Sequence, residues 1–185
     1  MNTQTALVLI DIQNDYFEEG ANPLSDSFEA SLNAKKILEY FRSNNLPVIH
    51  IQHISARPGS TFFLPGTKGA DIHPNVKPLE NEKVIVKHFP NSFRDTDLYA
   101  YLTEKNISDI VVCGMMTHMC VDASVRAAKD FGFNCTLISD ACTTKNLEIH
   151  NQWINATDVH NSFLAALGYF YATIKKATEF LQENY

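Results

Sequence analysis

Residues 109–132 read DIVVCGMMTHMCVDASVRAAKDFG, and this stretch contains one complete strand, turn and helix. The apolar run at 109–113 predicts a buried strand, and residues 120–131 predict a helix that ends at Gly132. A short apolar strand followed by an amphipathic helix is the repeating unit of a parallel α/β sheet. The segment therefore predicts a domain built from such units.

The same alternation runs through the rest of the chain. Further strands are predicted at 5–11, 47–52, 83–87, 134–138 and 170–174, and further helices at 25–44, 96–105, 159–169 and 175–184. We find no internal repeat and no linker, so we predict one domain over residues 1–185: three-layer α/β/α, Rossmann-like, with a six-stranded parallel sheet. The Pro- and Gly-rich stretch 53–82 is predicted to be a loop that borders the functional site.

Composition narrows the class of protein. The 185 residues are 45% hydrophobic and 19% charged with a net charge of −6, which predicts a globular protein and gives nucleic acid no basic surface to bind. The apolar runs are too short to cross a bilayer and the first residues do not resemble a signal peptide, so we expect a cytoplasmic protein with no membrane partner. The four cysteines, which form no CxxC pair, are expected to be reduced there. No nucleotide-binding motif appears, and no cofactor is expected.

Polar residues close three of the predicted elements. Asp11 ends the first strand, Lys87 ends the third, and Cys120 begins the helix after the fourth. Carboxyl ends of parallel strands share one edge of a sheet, so these side chains are expected to meet there. The start of a helix favours a thiolate at Cys120. Each residue also has a plain structural explanation: a turn former, a solvated strand end and a small buried side chain.

Three motifs carry a family resemblance. DIQNDYF at 11–17, KHFPNSF at 87–93 and GMMTHMCVDASVRAA at 114–128, in this order, resemble the isochorismatase-like cysteine hydrolases, a superfamily that includes nicotinamidases and related amidases. The similarity spans nearly the whole chain, and FLPGTKGADIHP at 63–74 looks most like the metal-independent branch with streptothricin-hydrolase-type enzymes. The resemblance implies an enzyme that hydrolyses a small-molecule substrate on this fold.

The resemblance also implies a role for each catalytic residue. Asp11 is expected to be the general base, Lys87 the cation and Cys120 the nucleophile. The backbone N–H groups of Met116 and Cys120 are expected to form the oxyanion hole. The peptide bond between Met115 and Met116 is expected to be cis.

Candidate substrate-binding residues follow from the same alignment of motifs. Tyr16 corresponds to an aromatic residue that lines the pocket of amidase relatives, and Phe17, Phe62 and Phe63 are further candidates. All four are equally well explained as core residues. His118 stands where many amidase relatives have Asp, and it is expected either to contact substrate or to cap the helix.

The chain departs from nicotinamidases at their metal site. Those enzymes carry a D-x-H arrangement after the second strand, but residues 49–55 read IHIQHIS, without the acidic ligand. His50 and His53 are expected on opposite faces of the strand with no acidic residue beside them. We therefore expect no metal and no nicotinamidase activity. One arrangement stays open, in which His53, His73 and His88 meet in space.

Three functions are compatible with this fold and these motifs. The first is hydrolysis of a small non-peptide amide, lactam or related C–N bond through a thioester. The second is hydrolysis of an isochorismate-type vinyl ether, a reaction that can dispense with the cysteine. The third is a non-catalytic binding protein on the same fold, which loss of a triad residue would indicate. The intact Asp11, Lys87 and Cys120 favour the first. The resemblance and the aromatic region 163–180, with Trp153, also predict a homodimer or homotetramer.

Overall fold

The computed structural model describes residues 4–184, and this part of the chain contains eight strands. In chain order they are β1 (Gln4–Ile10), β2 (Val48–His53), β3 (Lys83–Lys87), β4 (Ile107–Met115), β5 (Asn134–Thr143), β6 (Leu147–Ile149), β7 (Gln152–Ile154) and β8 (Thr173–Lys175). The α-helices are α1 (Ser27–Ser43), α2 (Leu98–Glu104), α3 (Asp122–Asp130), α4 (Ala156–Phe170) and α5 (Ala177–Asn184).

Six of these strands form one parallel sheet in the order β3-β2-β1-β4-β5-β8. The predicted six-stranded parallel sheet is thereby confirmed. The chain moves outward from β1 to β3 on one side and then from β4 to β8 on the other, so the order reverses between β1 and β4. Ligands of open α/β sheets bind beyond the carboxyl ends of the strands at such a reversal.

Helices cover both faces of the sheet because β1 is apolar on both. Its even-numbered residues, such as Val8, pack in a core with α2, α3 and α4, and its odd-numbered residues, such as Leu9, pack in a second core with α1 and α5. Successive side chains of a strand point to opposite faces, so an uninterrupted apolar run serves both layers. The three layers follow from this pattern.

Gly114 brings β4 against β1 at the switch point. Its φ is +147°, and a Cβ at this position would lie 2.2 Å from the carbonyl oxygen of Ile10. Only glycine allows so close an approach of the two backbones. The turn after β4 is thereby held next to the end of β1.

The C-terminal third differs from the prediction. The strand predicted at 170–174 is wrong at its start, because α4 continues to Phe170 and β8 begins only at Thr173. Buried Leu164 and Leu167 anchor α4 to the core, and this packing outweighs the strand preference of the aromatic residues that follow. The antiparallel hairpin of β6 and β7 was not predicted, because its turn, His150–Asn151, lacks the glycine that usually marks two positive φ values.

Within residues 4–184, no helix combines the length and the apolar character needed to cross a bilayer.

Candidate active site

Four side chains meet at the carboxyl edge of the sheet. Asp11 follows β1, His53 ends β2, Lys87 ends β3, and Cys120 lies in the turn after β4. We call these four residues the strand-end cluster. A carboxylate oxygen of Asp11, a ring nitrogen of His53 and the sulfur of Cys120 all lie within 4.8 Å of one another. The structure thus brings together the three residues proposed from sequence and adds His53 to them.

Asp11 is a fully buried carboxylate with unused hydrogen-bonding capacity. Its Oδ2 lies 2.7 Å from Nζ of Lys87, and both side chains are inaccessible to solvent. Within the described chain neither carboxylate oxygen accepts a hydrogen bond of normal geometry, so the contact with Lys87 is an ion pair at an angle outside the usual range. The backbone of Asp11 has a φ of +52°, a strained conformation for a residue with a Cβ. Free lone pairs on a buried carboxylate suit it to accept a proton.

Lys87 supplies the positive charge beside this carboxylate. Its Nζ donates hydrogen bonds to the carbonyl oxygens of Phe89 at 3.2 Å and Pro90 at 3.0 Å. Burial lowers the pKa of Lys87, but the negative charges of Asp11 and of an ionised Cys120 outweigh burial and raise it. Lys87 is therefore an ammonium ion at neutral pH.

Two serines connect the Lys87 loop to the helix after Cys120. The N–H of Ser92 donates to Oγ of Ser124 at 3.0 Å, and the two hydroxyl oxygens lie 2.8 Å apart. Both serines are buried. Ser124 stands four residues after Cys120, one helical turn away, so the contact joins the segment after Lys87 to the helix after Cys120. Sequence reasoning missed this pair, although the spacing from Cys120 was visible.

Cys120 lies in a π-helical turn, Thr117–Val121, that precedes α3. The expectation that it opens the α-helix as a favoured thiolate is wrong for the resting residue. Burial raises the pKa of Cys120, the charge of Asp11 raises it further, and Lys87 only partly opposes them. The resting residue is therefore a thiol that needs a base. Cys120 is 4% exposed.

The other cysteines are buried thiols without such partners. All four cysteines of the chain are unpaired. Burial raises the pKa of Cys135 to about 12 and that of Cys142 to about 12, and it also raises the pKa of Cys113. Cys142 lies within β5. Burial therefore does not distinguish Cys120; its neighbours do.

The turn between β4 and Cys120 presents two backbone donors. The Met115–Met116 peptide bond is cis, as the resemblance implied. The N–H of Met116 donates no hydrogen bond within residues 4–184, while its carbonyl accepts from Met119 and Val121. The N–H of Cys120 donates to no described residue outside its own turn. Two such groups can bind an oxyanion.

Gln13 is a site residue that sequence reasoning missed. Its Nε2 donates to the carbonyl of His53 at 2.9 Å and to the carbonyl of Ala70 at 2.7 Å, and its Oε1 accepts from the N–H of His53 at 2.8 Å. Gln13 is fully buried. It fixes the end of β2, and its place two residues after Asp11 in DIQNDYF was the available signal.

Asp15 anchors the long loop that follows β2. Its carboxylate accepts hydrogen bonds from the N–H of Phe63 at 2.6 Å and of Ala21 at 3.2 Å. A Cβ at Gly69 would lie 2.0 Å from Oδ1 of Asp15, so glycine here lets the loop approach this carboxylate without displacing it. The loop at 53–82 is therefore anchored at Phe63.

Three of the four candidate aromatic residues form one group. Tyr16 is 1% exposed, and its ring lies 4.6 Å from that of Phe63 and 5.9 Å from that of Phe62. Burial raises the pKa of Tyr16, and the negative charges of Cys120 and Asp11 add to this effect, which requires proximity to the strand-end cluster. Binding of substrate by this group stays a prediction.

Phe17 makes no ring contact with that group in the described chain. Its ring stacks on His73 with centroids 3.6 Å apart. It lines a groove with Glu18, Glu19 and Phe28 that contains no member of the strand-end cluster. The structure therefore does not bring Phe17 to the cysteine.

His118 does not cap the helix. Its Nδ1 is hydrogen-bonded to the hydroxyl of Thr144, and its ring meets Phe163 edge-on with centroids 6.0 Å apart. No side-chain hydrogen bond caps the turn that contains it. A contact between His118 and substrate stays a prediction.

The three histidines considered as metal ligands do not meet. His73 stacks on Phe17, and His88 donates from Nδ1 to the carbonyl of Ile54. In the described chain, the one group of three potential ligand atoms is that of Asp11, His53 and Cys120. The Lys87 ammonium lies 2.7 Å from Asp11 Oδ2 and 3.5 Å from His53 Nδ1. A second cation does not fit beside it, so this set does not suit a metal ion.

We expected His50 and His53 of β2 to have no acidic residue beside them, and this prediction is wrong. Glu82 Oε2 lies 2.9 Å from Nε2 of His50, and Asp11 Oδ2 lies 3.9 Å from Nδ1 of His53. Arg42 also binds Glu82, with 2.7 Å between Nε and Oε1. We call Arg42, His50 and Glu82 the Glu82 cluster. Both acids are far from β2 in sequence, so the local pattern could not show them.

A thiol, a carboxylate and an ammonium at the switch point of a parallel α/β sheet define a hydrolase-type site. The isochorismatase domain family matches residues 5–167. The chain belongs to this family and is an isochorismatase-like hydrolase.

Similar proteins agree with this assignment. An uncharacterized isochorismatase family protein of Bacillus subtilis, YddQ, is 49% identical over 178 residues, 96% of this chain and 99% of that protein. A streptothricin hydrolase of Streptomyces noursei is 31% identical over 142 residues, 77% of this chain and 50% of that protein. The crystal structure of a putative isochorismatase hydrolase from Oleispira antarctica superposes with a TM-score of 0.94 at 44% identity, covering 98% of each chain.

Proposed function

We propose that this protein hydrolyses a small-molecule amide, lactam or related non-peptide C–N bond through a thioester on Cys120. The observation that carries the proposal is the buried ion pair of Asp11 and Lys87 beside a buried thiol. A buried ion pair beside a buried thiol is costly for a fold, and buried charges of this kind cluster at sites where chemistry takes place. The similarity to a streptothricin hydrolase supports a C–N bond as the target.

Acylation begins with the thiol. Because the resting Cys120 is protonated, Asp11 takes its proton as the sulfur attacks the carbonyl carbon. Lys87 stabilises the anionic groups during this transfer.

The tetrahedral intermediate carries negative charge on the former carbonyl oxygen. The free N–H of Met116 and the N–H of Cys120 are the donors proposed to bind it. Each such donor is worth about 3 kcal/mol of transition-state stabilisation in hydrolases. Collapse of the intermediate expels the nitrogen and leaves a thioester, which water hydrolyses to regenerate Cys120.

A panel of amides, ureido acids and lactams, assayed for release of ammonia or amine, tests this function. We expect the protein to turn over members of the panel and its Cys120→Ala variant to turn over none. Mass spectrometry of the wild type with a slow substrate is expected to show the acyl adduct on Cys120. Turnover by the Cys120→Ala variant would refute the thioester route and favour the vinyl ether reaction. Binding of a panel compound that neither the wild type nor the variant turns over would favour a binding protein.

We also propose that the chain forms a homo-oligomer through its C-terminal aromatic residues. Tyr169 is 92% exposed, Phe170 64% and Trp153 72%, whereas Phe180 is buried against α1. Large exposed aromatic side chains are typical of protein contacts. Light scattering that returns 20.8 kDa at micromolar concentration would refute this proposal.

A further inference from the structure

His53 has no part in the three-residue reaction described above, yet it belongs to the strand-end cluster. Its side chain is 17% exposed, whereas those of Asp11 and Lys87 are inaccessible to solvent. Gln13 binds both its N–H and its carbonyl, so its backbone is fixed. His53 is therefore a rigid link between the buried charges and the accessible side of the cluster.

The contacts of the imidazole fix its tautomer. Nδ1 lies 3.5 Å from Nζ of Lys87 and 3.9 Å from Oδ2 of Asp11. An ammonium donates and never accepts, so a hydrogen bond from the Lys87 N–H that lies between Asp11 and His53 requires Nδ1 as the acceptor, and we assign the proton of the neutral ring to Nε2. Burial lowers the pKa of His53 despite the opposing charge of Asp11, which keeps the ring neutral at pH 7. Nε2–H is thus a donor on the edge of the ring that faces away from Lys87.

The C–N bond cannot break until the leaving nitrogen receives a proton, because an amide anion is a very poor leaving group. After acylation begins, the thiol proton is on Asp11, whose side chain is fully buried. From Asp11 the contacts lead outward, 2.7 Å to Lys87 and then 3.5 Å to Nδ1 of His53. The cluster thus contains a continuous path for this proton.

We propose that His53 delivers the proton to the leaving nitrogen, an inference that rests on the proposed function. The sulfur of Cys120 forms the C–S bond as the C–N bond breaks. The thiol proton goes to Asp11, Asp11 protonates Lys87 as Lys87 protonates Nδ1, and the Nε2 proton goes to the nitrogen. Asp11 and Lys87 recover their charges, and His53 ends neutral with its proton on Nδ1.

Hydrolysis of the thioester runs the path in reverse. Water attacks the acyl carbon, its oxygen forms the new C–O bond, and the C–S bond breaks. One water proton goes to Nε2 of His53, and the Nδ1 proton returns through Lys87 and Asp11 to the sulfur of Cys120. The carboxylic acid leaves, and His53 regains its starting tautomer. No oxidant, reductant or further reactant is required.

Esters with different leaving groups test this role. p-Nitrophenol leaves without a proton, whereas trifluoroethanol is more basic and needs one. The His53→Gln variant, in which the side chain cannot relay a proton, is expected to lose about 100-fold in kcat/KM on trifluoroethyl acetate and less than about threefold on p-nitrophenyl acetate. Equal losses on the two esters, or no loss on either, would overturn the proposal.

Alkylation of Cys120 by iodoacetamide provides a second readout, because iodide leaves without a proton. The rate is expected to be unchanged in His53→Gln and reduced in Asp11→Asn. A matching fall in His53→Gln would mean that His53 only shapes the thiol, and would also overturn the proposal. His53→Asn is the second variant if His53→Gln does not fold.

Two further variants separate this inference from the function on which it rests. His88→Gln is the matched control, because exposed His88 stands next to Lys87 in sequence, binds the carbonyl of Ile54 and acts on His53 only through its charge, which affects both esters alike. It is expected to hydrolyse both esters at the wild-type rate, and a selective loss on trifluoroethyl acetate would contradict the assignment to His53. Ester hydrolysis retained by Cys120→Ala, or absent from the wild type, would refute the proposed function itself.

Discussion

The strand-end cluster and the Glu82 cluster contain the same kinds of group. Each has a carboxylate, a cation and a histidine of β2, and the two histidines are only three residues apart. They differ in how the carboxylate is bound. Glu82 accepts hydrogen bonds from Arg42 on both oxygens, from His50 and from the N–H of Leu79, whereas Asp11 accepts none of normal geometry in the described chain.

This difference separates a structural carboxylate from a reactive one. Burial raises the pKa of Glu82, but the hydrogen bonds of Arg42, Leu79 and His50 outweigh burial and lower it to about 2. Both oxygens of Glu82 are already engaged, Oε1 by Arg42 and Oε2 by Arg42, His50 and Leu79. Asp11 keeps its lone pairs and lies beside a thiol. Unused hydrogen-bonding capacity next to a nucleophile is the feature that marks the reactive cluster.

The largest expected effect contrasts the two acids directly. Asp11→Asn removes the proposed base and is expected to lower kcat by at least about 10³-fold, whereas Glu82→Gln is expected to stay within about threefold of the wild type. Steady-state turnover of a substrate from the amide panel measures both. If Glu82→Gln lost as much activity as Asp11→Asn, the comparison would fail.

The reactivity of the four cysteines provides a second test of the strand-end cluster. All four cysteines are buried, and Cys120 alone has Asp11 and Lys87 as partners. Limited iodoacetamide treatment with peptide mapping is expected to modify Cys120 at least about tenfold faster than Cys113, Cys135 or Cys142. In Asp11→Asn this preference is expected to disappear, because loss of the base outweighs the lower thiol pKa that removal of the Asp11 charge brings. Faster modification of another cysteine in the wild type would contradict the assignment.

The stability of the fold is expected to depend on Glu82, although catalytic activity is not. Glu82→Gln leaves Arg42 and His50 without a charged acceptor and is expected to cost about 2 kcal/mol of unfolding free energy, a fall in Tm of about 5 °C. Thermal unfolding followed by circular dichroism measures this loss. Cys120→Ala, which removes only one sulfur, is the control and is expected to change Tm less. An unchanged Tm in Glu82→Gln would show that the cluster is dispensable.

The smallest effect is the pH dependence of that stability. The pKa of Glu82 in the folded protein, about 2, is below its ordinary value of 4.5, so its contribution is complete above about pH 4.5 and is lost as the pH falls towards 2. The Tm difference between wild type and Glu82→Gln is therefore expected to be constant above pH 4.5 and to shrink below it. A difference that stayed constant down to pH 2.5 would contradict the lowered pKa.

The sequence alone determined the architecture and three members of the strand-end cluster. Apolar runs that are buried on both faces of a parallel sheet can be recognised in the sequence, because strand and helix periods are local properties. Asp11, Lys87 and Cys120 could be found because each stands next to a strand end, and carboxyl ends of parallel strands share an edge. The same reasoning could not predict where α4 ends, because the packing of Leu167 decided that boundary.

Only the tertiary structure decided the remaining features of the site. His53 joins the cluster through contacts with residues 34 and 42 positions away, and the Glu82 cluster connects residues 32 and 40 positions apart. The pKa of Cys120 is also raised against the local expectation, because burial and the charge of Asp11 outweigh Lys87. Burial and through-space charge depend on which distant segments fold against a group, and no local pattern of residues specifies them.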